Sequence, residues 1–308
     1  MREILMPAWK YIQRKKRFRP LYIAIVAFMN TRVFNFVMDT VERTVSKRKI
    51  DESKRFFLAN KERIKSNVNV LNDEKSRRVY IDFIKYRGTL KWKYLHDVDK
   101  DTYFDKKIIK FAEKEIFIDA GAYTGDTVEE LCRKFYNLRS MGGHLHVICF
   151  EPDSFNYKRC CARLSRLKRK YEGFTSNVIC KGLWDSPGEV YFTQGEETSS
   201  KIVNGGTDST VKLAVTSIDN VIGENNVHTY GKVTFIKMDI EGSEPQALEG
   251  ARNTIERDHP RLAICIYHTD EQVISIIEWI RKNFPFYKLY VRHYHWSWTE
   301  CVVYAVEK

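Results

Sequence analysis

Three short stretches of the chain carry side chains able to do chemistry. The first reads Asp119-Ala-Gly121-Ala-Tyr123-Thr124-Gly125-Asp-Thr127. Gly121 permits a tight turn and Gly125 lets the backbone approach a ligand, as at the strand-to-helix corner of nucleotide-binding sheets. Asp119 closes the strand, and a carboxylate there suits a cationic ligand group, such as an amino-acid ammonium, better than a phosphate. Tyr123 stands where G-x-G-x-x-G would have its middle glycine, so the close backbone approach that a pyrophosphate needs is missing. A purely structural strand-turn-helix corner would use the same glycines. The second stretch is Phe150-Glu151-Pro152-Asp153. A strand-end carboxylate at Glu151 can accept hydrogen bonds from both hydroxyls of a ribose. The bland alternative is a helix cap, which Asp153 or Ser154 already supplies. The third stretch runs Ile236-Lys-Met-Asp239-Ile-Glu241-Gly-Ser-Glu244. It clusters three carboxylates after a buried strand. Glu244 can serve merely as a helix-dipole partner, whereas Asp239, at the strand terminus, is placed for a shifted pKa.

These residues need elements to hold them. From residue 116 onward, short apolar runs at 115–119, 146–150, 177–180, 233–238 and 262–267 alternate with helical patterns at 127–138, 154–170, 243–256 and 270–282. Such alternation predicts a parallel sheet with right-handed crossovers. Residues 189–192 read as a local strand. The runs at 286–291 and 301–306 are joined by a loop too short for a helical crossover, which predicts a C-terminal antiparallel hairpin. Residues 1–115 contain one glycine, Gly88, and apolar residues at helical spacing, as in Val33, Phe36, Val37, Val41 and in Val79, Phe83, Ile84. That region reads as several helices without a sheet, one of them starting at Asn72-Asp73.

The first two stretches together describe a ligand with a ribose and a cationic amino-acid end, which S-adenosylmethionine satisfies. The three stretches, in this order, resemble the FkbM family of S-adenosylmethionine-dependent methyltransferases over roughly residues 115–306. The third, K-x-D-x-E-G-x-E-x-x-A-L-x-G-A from Lys237 to Ala251, carries most of the specificity. Ile266-Tyr-His268, Tyr290-Val-Arg-His293-Tyr, Leu71-Asn-Asp-Glu-Lys-Ser76 and the pair Tyr103-Phe104 are also similar to parts of that family. The resemblance implies an α/β, Rossmann-like, seven-stranded class I methyltransferase sheet and methyl transfer to a hydroxyl oxygen of a sugar, glycan or natural product. It implies cofactor contacts from Asp119, Gly121, Tyr123, Thr124, Gly125, Thr127, Glu151, Pro152 and Asp239. It places Asp239 and Glu241 at the substrate edge.

Direct displacement at a sulfonium methyl needs alignment, and a poorly acidic hydroxyl also benefits from a base. Asp239, Glu241 and His268 are the candidates, His268 following the fifth apolar run with a pKa expected near neutrality. A divalent ion on Asp239 and Glu241 is a minor alternative, and no metal is assigned. His144 and His146 lack the partners of a structural zinc site. The aromatic run His293-Tyr-His-Trp-Ser-Trp298 suits either stacking on a sugar ring or packing of the hairpin. Rival functions are a nicotinamide-dependent oxidoreductase and a non-catalytic protein binding a membrane or polyanion. No Asn-Pro-Pro-aromatic tetrad is present, and no nucleic-acid partner is expected.

The chain has 308 residues and a net charge of +12. Residues 1–115 hold 29 Lys+Arg against 15 Asp+Glu, and the remainder 23 against 25. This asymmetry suggests a basic, mostly helical region at 1–114 and a methyltransferase domain at 115–308. Arg14-Lys-Lys-Arg17 and Arg19 adjoin the apolar residues 21–29, a pattern open to peripheral contact with an anionic membrane, although no run is long enough to span one. Seven cysteines without a C-x-x-C pair point to a reducing, cytoplasmic setting, with Cys149, Cys180, Cys265 and Cys301 as buried hydrophobes. The Arg163–Lys170 segment reads as a solvated basic face. Homo-oligomerisation is left open.

Overall fold

The computed structural model describes residues 47–95, 98–99, 101–138, 143–193, 202–203, 210–224 and 231–308. Three helices come first: α1 (Lys47–Ala59), α2 (Lys61–Val70) and α3 (Glu74–Arg87). The α3 start is the predicted one, with the Asp73 side chain accepting a 2.7 Å bond from the Ser76 amide. An α/β unit follows: β1 (Lys114–Ala120), α4 (Asp126–Asn137), β2 (His144–Phe150), α5 (Ser154–Lys170) and β3 (Phe174–Ile179). After an excursion come β8 (Phe235–Met238), α7 (Glu244–Glu249), α8 (Arg252–Asp258), β9 (Arg261–Cys265), α9 (Asp270–Asn283), β10 (Tyr287–His293) and β11 (Cys301–Glu307).

The main sheet has the order β10-β11-β9-β8-β1-β2-β3. Its five strands from β9 to β3 are parallel, while β11 lies antiparallel between β9 and β10. The parallel strands are those the alternation of patterns predicts, the hairpin is the one its short loop predicts, and the seven-stranded, Rossmann-like α/β sheet is the one the resemblance implies. The order reverses between β1 and β8, so a crevice opens at their carboxyl ends. β1 and β2 are buried at six of seven positions each, which explains their continuous apolar sequences: helices cover both faces of the sheet.

The excursion was not legible as such. β4 (Gly182–Leu183), β5 (Gly188–Thr193), β6 (Ile202–Val203) and β7 (Thr210–Thr216) form a separate four-stranded sheet, and α6 (Ile218–Glu224) follows it. Only β5 is foreseen by its pattern. The helix expected over 243–256 is likewise two helices. The chain breaks at Gly250-Ala251 because Gly250 lies against backbone: a Cβ there would meet the Trp184 carbonyl oxygen at 2.2 Å.

The described part of the basic region is not a separate body. Phe57, Leu71, Val79, Tyr80, Phe83, Tyr103 and Phe104 belong to the same apolar core as the sheet strands. A bridge between Leu71 and Leu289 extends the β10 edge, and Arg292 of β10 reaches back to Asp73 at 2.7 Å and Asp105 at 3.2 Å. All seven cysteines are free. Cys180 is exposed rather than buried, because it lies just beyond the outermost strand, β3. Among the described residues no helix is long and apolar enough to cross a membrane. The basic cluster 14–19 and the apolar run 21–29 lie outside the described residues.

Candidate active site

A cavity of about 950 Å³ opens at the carboxyl ends of β1, β2 and β8. All three motif stretches reach it. Gly121, Tyr123, Thr127, Glu151, Pro152, Asp239 and Glu241 line it; Asp119, Thr124, Gly125 and His268 do not.

The first and third stretches meet at Gly121. Its φ is +78°, and a Cβ there would lie 1.9 Å from the Asp239 carbonyl oxygen. No side chain fits, which is the physical reason for glycine at this corner. Gly125, with φ +77°, turns the chain into α4, and a Cβ there would meet Leu164 of α5 at 2.8 Å and Cys160 Sγ at 3.2 Å. At the cavity's other end Glu151 is held by two backbone amides, Tyr123 N–H at 2.8 Å and Asp153 N–H at 2.9 Å. Each carboxylate oxygen keeps lone pairs for a ligand. The helix cap is a separate residue, Asp153, which accepts from Asn156 N–H at 2.7 Å. Tyr123 keeps a left-handed φ of +48° and is half exposed at the cavity wall.

Asp119 does not offer its carboxylate to the cavity. It is fully buried and faces the Nζ of Lys237, also buried, at 3.0 Å. Lys237 donates further to the carbonyls of Gly121 at 2.9 Å and Ala120 at 3.2 Å. Burial opposes the Lys237 charge, but the Asp119 and Asp239 carboxylates outweigh it and raise its pKa. The ammonium expected opposite Asp119 is thus supplied from within the chain, by the K of K-x-D. A buried charge needs a partner, and this pair fixes the ends of two adjacent parallel strands.

Asp239 is the hub on the β8 side. Tyr103 Oη donates to its Oδ2 and Tyr267 Oη to its Oδ1, each at 2.9 Å. Burial pushes its pKa up, but Lys237 and His268 more than reverse this, with help from the two tyrosines, and hold the carboxylate ionised. His268 sits among three carboxylates, with Nδ1 3.1 Å from Glu244 Oε1 and Nε2 3.4 Å from Asp239 and 3.5 Å from Glu241. Burial disfavours the imidazolium, yet Glu244, Asp239 and Glu241 raise its pKa to about 9. It therefore carries its proton at neutral pH instead of titrating there, and an imidazolium cannot act as a base. Glu244 is fully buried and clamps the turn by accepting from Ile240 N–H at 2.8 Å and Gln272 Nε2 at 3.2 Å, a tighter duty than a helix-dipole partner.

Three further residues of the site were missed in the sequence. Tyr103 arrives from the segment before β1 with φ +65°, its ring 5.2 Å from Lys237 Nζ. Tyr267 follows β9. Glu300, with φ +61°, comes from the β10–β11 loop and lines the cavity. Tyr103 and Tyr267 stand in family-like stretches without a role assigned to either; nothing in the sequence marks Glu300. The aromatic loop divides its duties. His293 is buried and bonded to the Thr299 carbonyl at 2.9 Å, Trp298 lies edge-on to Tyr267, and only Tyr294 and His295 of this run line the cavity.

The family model of the methyltransferase FkbM domain matches residues 119–286. The chain belongs to the FkbM methyltransferase family. The crystal structure of methyltransferase FkbM from Methylobacillus flagellatus KT superposes with a TM-score of 0.67 at 24% identity, covering 82% of this chain and 60% of that one. The similarity to that structure is one of fold, and this chain spans 60% of its length. A putative rRNA-methylase from Clostridium thermocellum aligns with a TM-score of 0.34 at 10% identity over 67% of this chain and 93% of that one, too distant to bear on function. No curated protein matches.

Proposed function

We propose that the protein transfers the methyl group of S-adenosylmethionine to a hydroxyl oxygen of an uncharged acceptor such as a sugar, glycan or natural product. The observation that carries this reading is Glu151, whose carboxylate is fixed by two amides at the end of β2 and borders the same cavity as Asp239. It has the placement to receive two ribose hydroxyls, while the Gly121 corner, packed on the Asp239 backbone, lines the same cavity. The cofactor, when bound, supplies an electrophilic methyl; the chain's residues orient it and exclude water. The volume of the cavity is at the upper end for a small-molecule site and leaves room for an acceptor beside a nucleoside.

The charge of the walls bears on the acceptor. Asp126, Glu130, Glu151, Asp239, Glu241 and Glu300 face the cavity against Lys181 and Lys237, and Lys237 is already paired with Asp119. A polyanion would be repelled, which disfavours a nucleic-acid acceptor. A nicotinamide dinucleotide fares no better: its pyrophosphate would meet Tyr123 and these carboxylates.

Calorimetry tests the donor. Wild-type protein should bind S-adenosylmethionine and not NAD or NADP, and Glu151→Ala should weaken binding by about 1.5–3 kcal/mol, the worth of hydrogen bonds to a charged group. Equal affinities for wild type and variant would remove Glu151 from the site.

A further inference from the structure

We propose that Glu300, not Asp239 or His268, is the group that takes the acceptor's proton, an inference resting on the methyl-transfer reading above. The ground is how two carboxylates share one phenol. Tyr103 has a single hydroxyl hydrogen; its Oη lies 2.9 Å from Asp239 Oδ2 and 3.4 Å from Glu300 Oε2. Asp239 has the shorter bond, a second donor in Tyr267, and two cations beside it, Lys237 and His268. Its charge is satisfied and its proton affinity low. Glu300 has neither a second donor nor an ion-pair partner among the described residues, and it faces the charge of Asp239 across Tyr103. A proton arriving on Glu300 lets it donate to Tyr103 Oη while Tyr103 continues to donate to Asp239. The network is then fully bonded, so the geometry favours Glu300 as the resting place of an added proton.

The other groups around Glu300 agree with this. Tyr103, Tyr267 and Cys265 are neutral, with pKa values raised mainly by burial. Lys237 and His268 are cations that pull Glu300 down, but less than burial and Asp239 push it up, and its pKa stands at about 7. A base with that value is half ionised at neutral pH and still accepts a proton. The left-handed φ of Glu300 holds the side chain to the cavity from the hairpin, opposite the Glu151 end, where an acceptor would enter. In the step assigned to it, the acceptor O–H bond breaks and its proton passes to the Glu300 carboxylate. The oxygen's electron pair forms the new bond to the methyl carbon, and the pair of the broken carbon–sulfur bond stays on the donor's sulfur.

The test needs no acceptor. Carboxyl carbon-13 NMR of the full chain should show a glutamate titration near pH 7 that disappears in Glu300→Gln. Tyr103→Phe, which deletes the shared hydroxyl without touching Glu300, should move that midpoint upward, and serves if Glu300→Gln does not fold. S-adenosylmethionine should bind wild type and Glu300→Gln within about twofold. If no glutamate titration between pH 6 and 8 is lost in Glu300→Gln, the assignment is overturned, as it is by a tenfold loss of donor affinity, which would move Glu300 to the donor side. Failure of the wild type itself to bind S-adenosylmethionine overturns the methyl-transfer reading instead.

Discussion

His268 shows how much a residue's neighbours decide. A histidine after a strand reads as a neutral base, but three carboxylates from the turn between β8 and α7 surround it here. The sign of its pH effect follows. Its pKa is about 9 in the folded protein against an ordinary 6.5, so folding favours the protonated form. The stabilisation is complete below pH 6.5 and disappears as pH rises through 9, a loss of about 3 kcal/mol. Denaturant unfolding at pH 6 and pH 9.5 should show this fall in wild type and a flatter profile in His268→Gln; identical slopes would mean that the imidazole is not charged in the native state. At this scale the sequence was legible where backbone chemistry dictates the residue. Gly121 makes the tight turn its motif suggests, and Glu151 ends its strand as an acceptor, because such turns and strand-end acceptors are local requirements. Asp119 was misread because its partner, Lys237, lies 118 positions away, and Glu300 was invisible because a hairpin-loop glutamate has no periodicity to betray it.

Elements were legible in proportion to their length and pattern. The strands and helices of the main sheet follow from alternating apolar runs, and even the antiparallel hairpin was implied by a loop too short to cross over. The small sheet escaped notice because its strands β4 and β6 are only two residues long, and β7, flanked by polar sequence, pairs with β4 and β5 rather than with the main sheet. Gly250 ties the two assemblies together. With φ at an ordinary helical value, its only constraint is space: an added methyl would strike the Trp184 carbonyl and come within 2.8 Å of Ser217 Cβ. Gly250→Ala should therefore destabilise by about 1–3 kcal/mol, the usual cost of overpacking. Gly188→Ala, with nothing within 4 Å, should stay within about 0.5 kcal/mol. Urea midpoints of the two variants decide the matter; equal shifts would show that the α7–α8 break tolerates a side chain.

For the whole molecule, the division suggested by charge does not correspond to a division of the core. α1 to α3 are basic on the outside and apolar toward the sheet, and Arg63 of α2 bonds Glu271 at 2.7 Å and Glu278 at 2.6 Å on α9. Composition reports surface, and surface alone could not reveal that these helices share a core with the strands. The basic cluster 14–19 beside the apolar run 21–29 still makes a prediction of its own. Each well-placed basic residue contributes about 1 kcal/mol at an anionic bilayer, and the attraction is screened by salt. Full-length protein should co-sediment with phosphatidylserine vesicles at low ionic strength, release at high salt, and ignore neutral vesicles. No binding at low ionic strength would end the membrane reading.

The packing of α3 on β10 has a consequence for how the protein is made. Val79, Tyr80 and Phe83 leave the ribosome about 200 residues ahead of Leu289 and Val291, the strand they settle against. At 5–20 residues per second, the roughly 200 intervening residues take about 10–40 s. For that interval the nascent chain carries an apolar helix face with no native partner. The newborn polypeptide is thus a ready client for chaperones, and the end of the cavity lined by Tyr103 and Glu300 comes into being only once the C-terminal hairpin has been made.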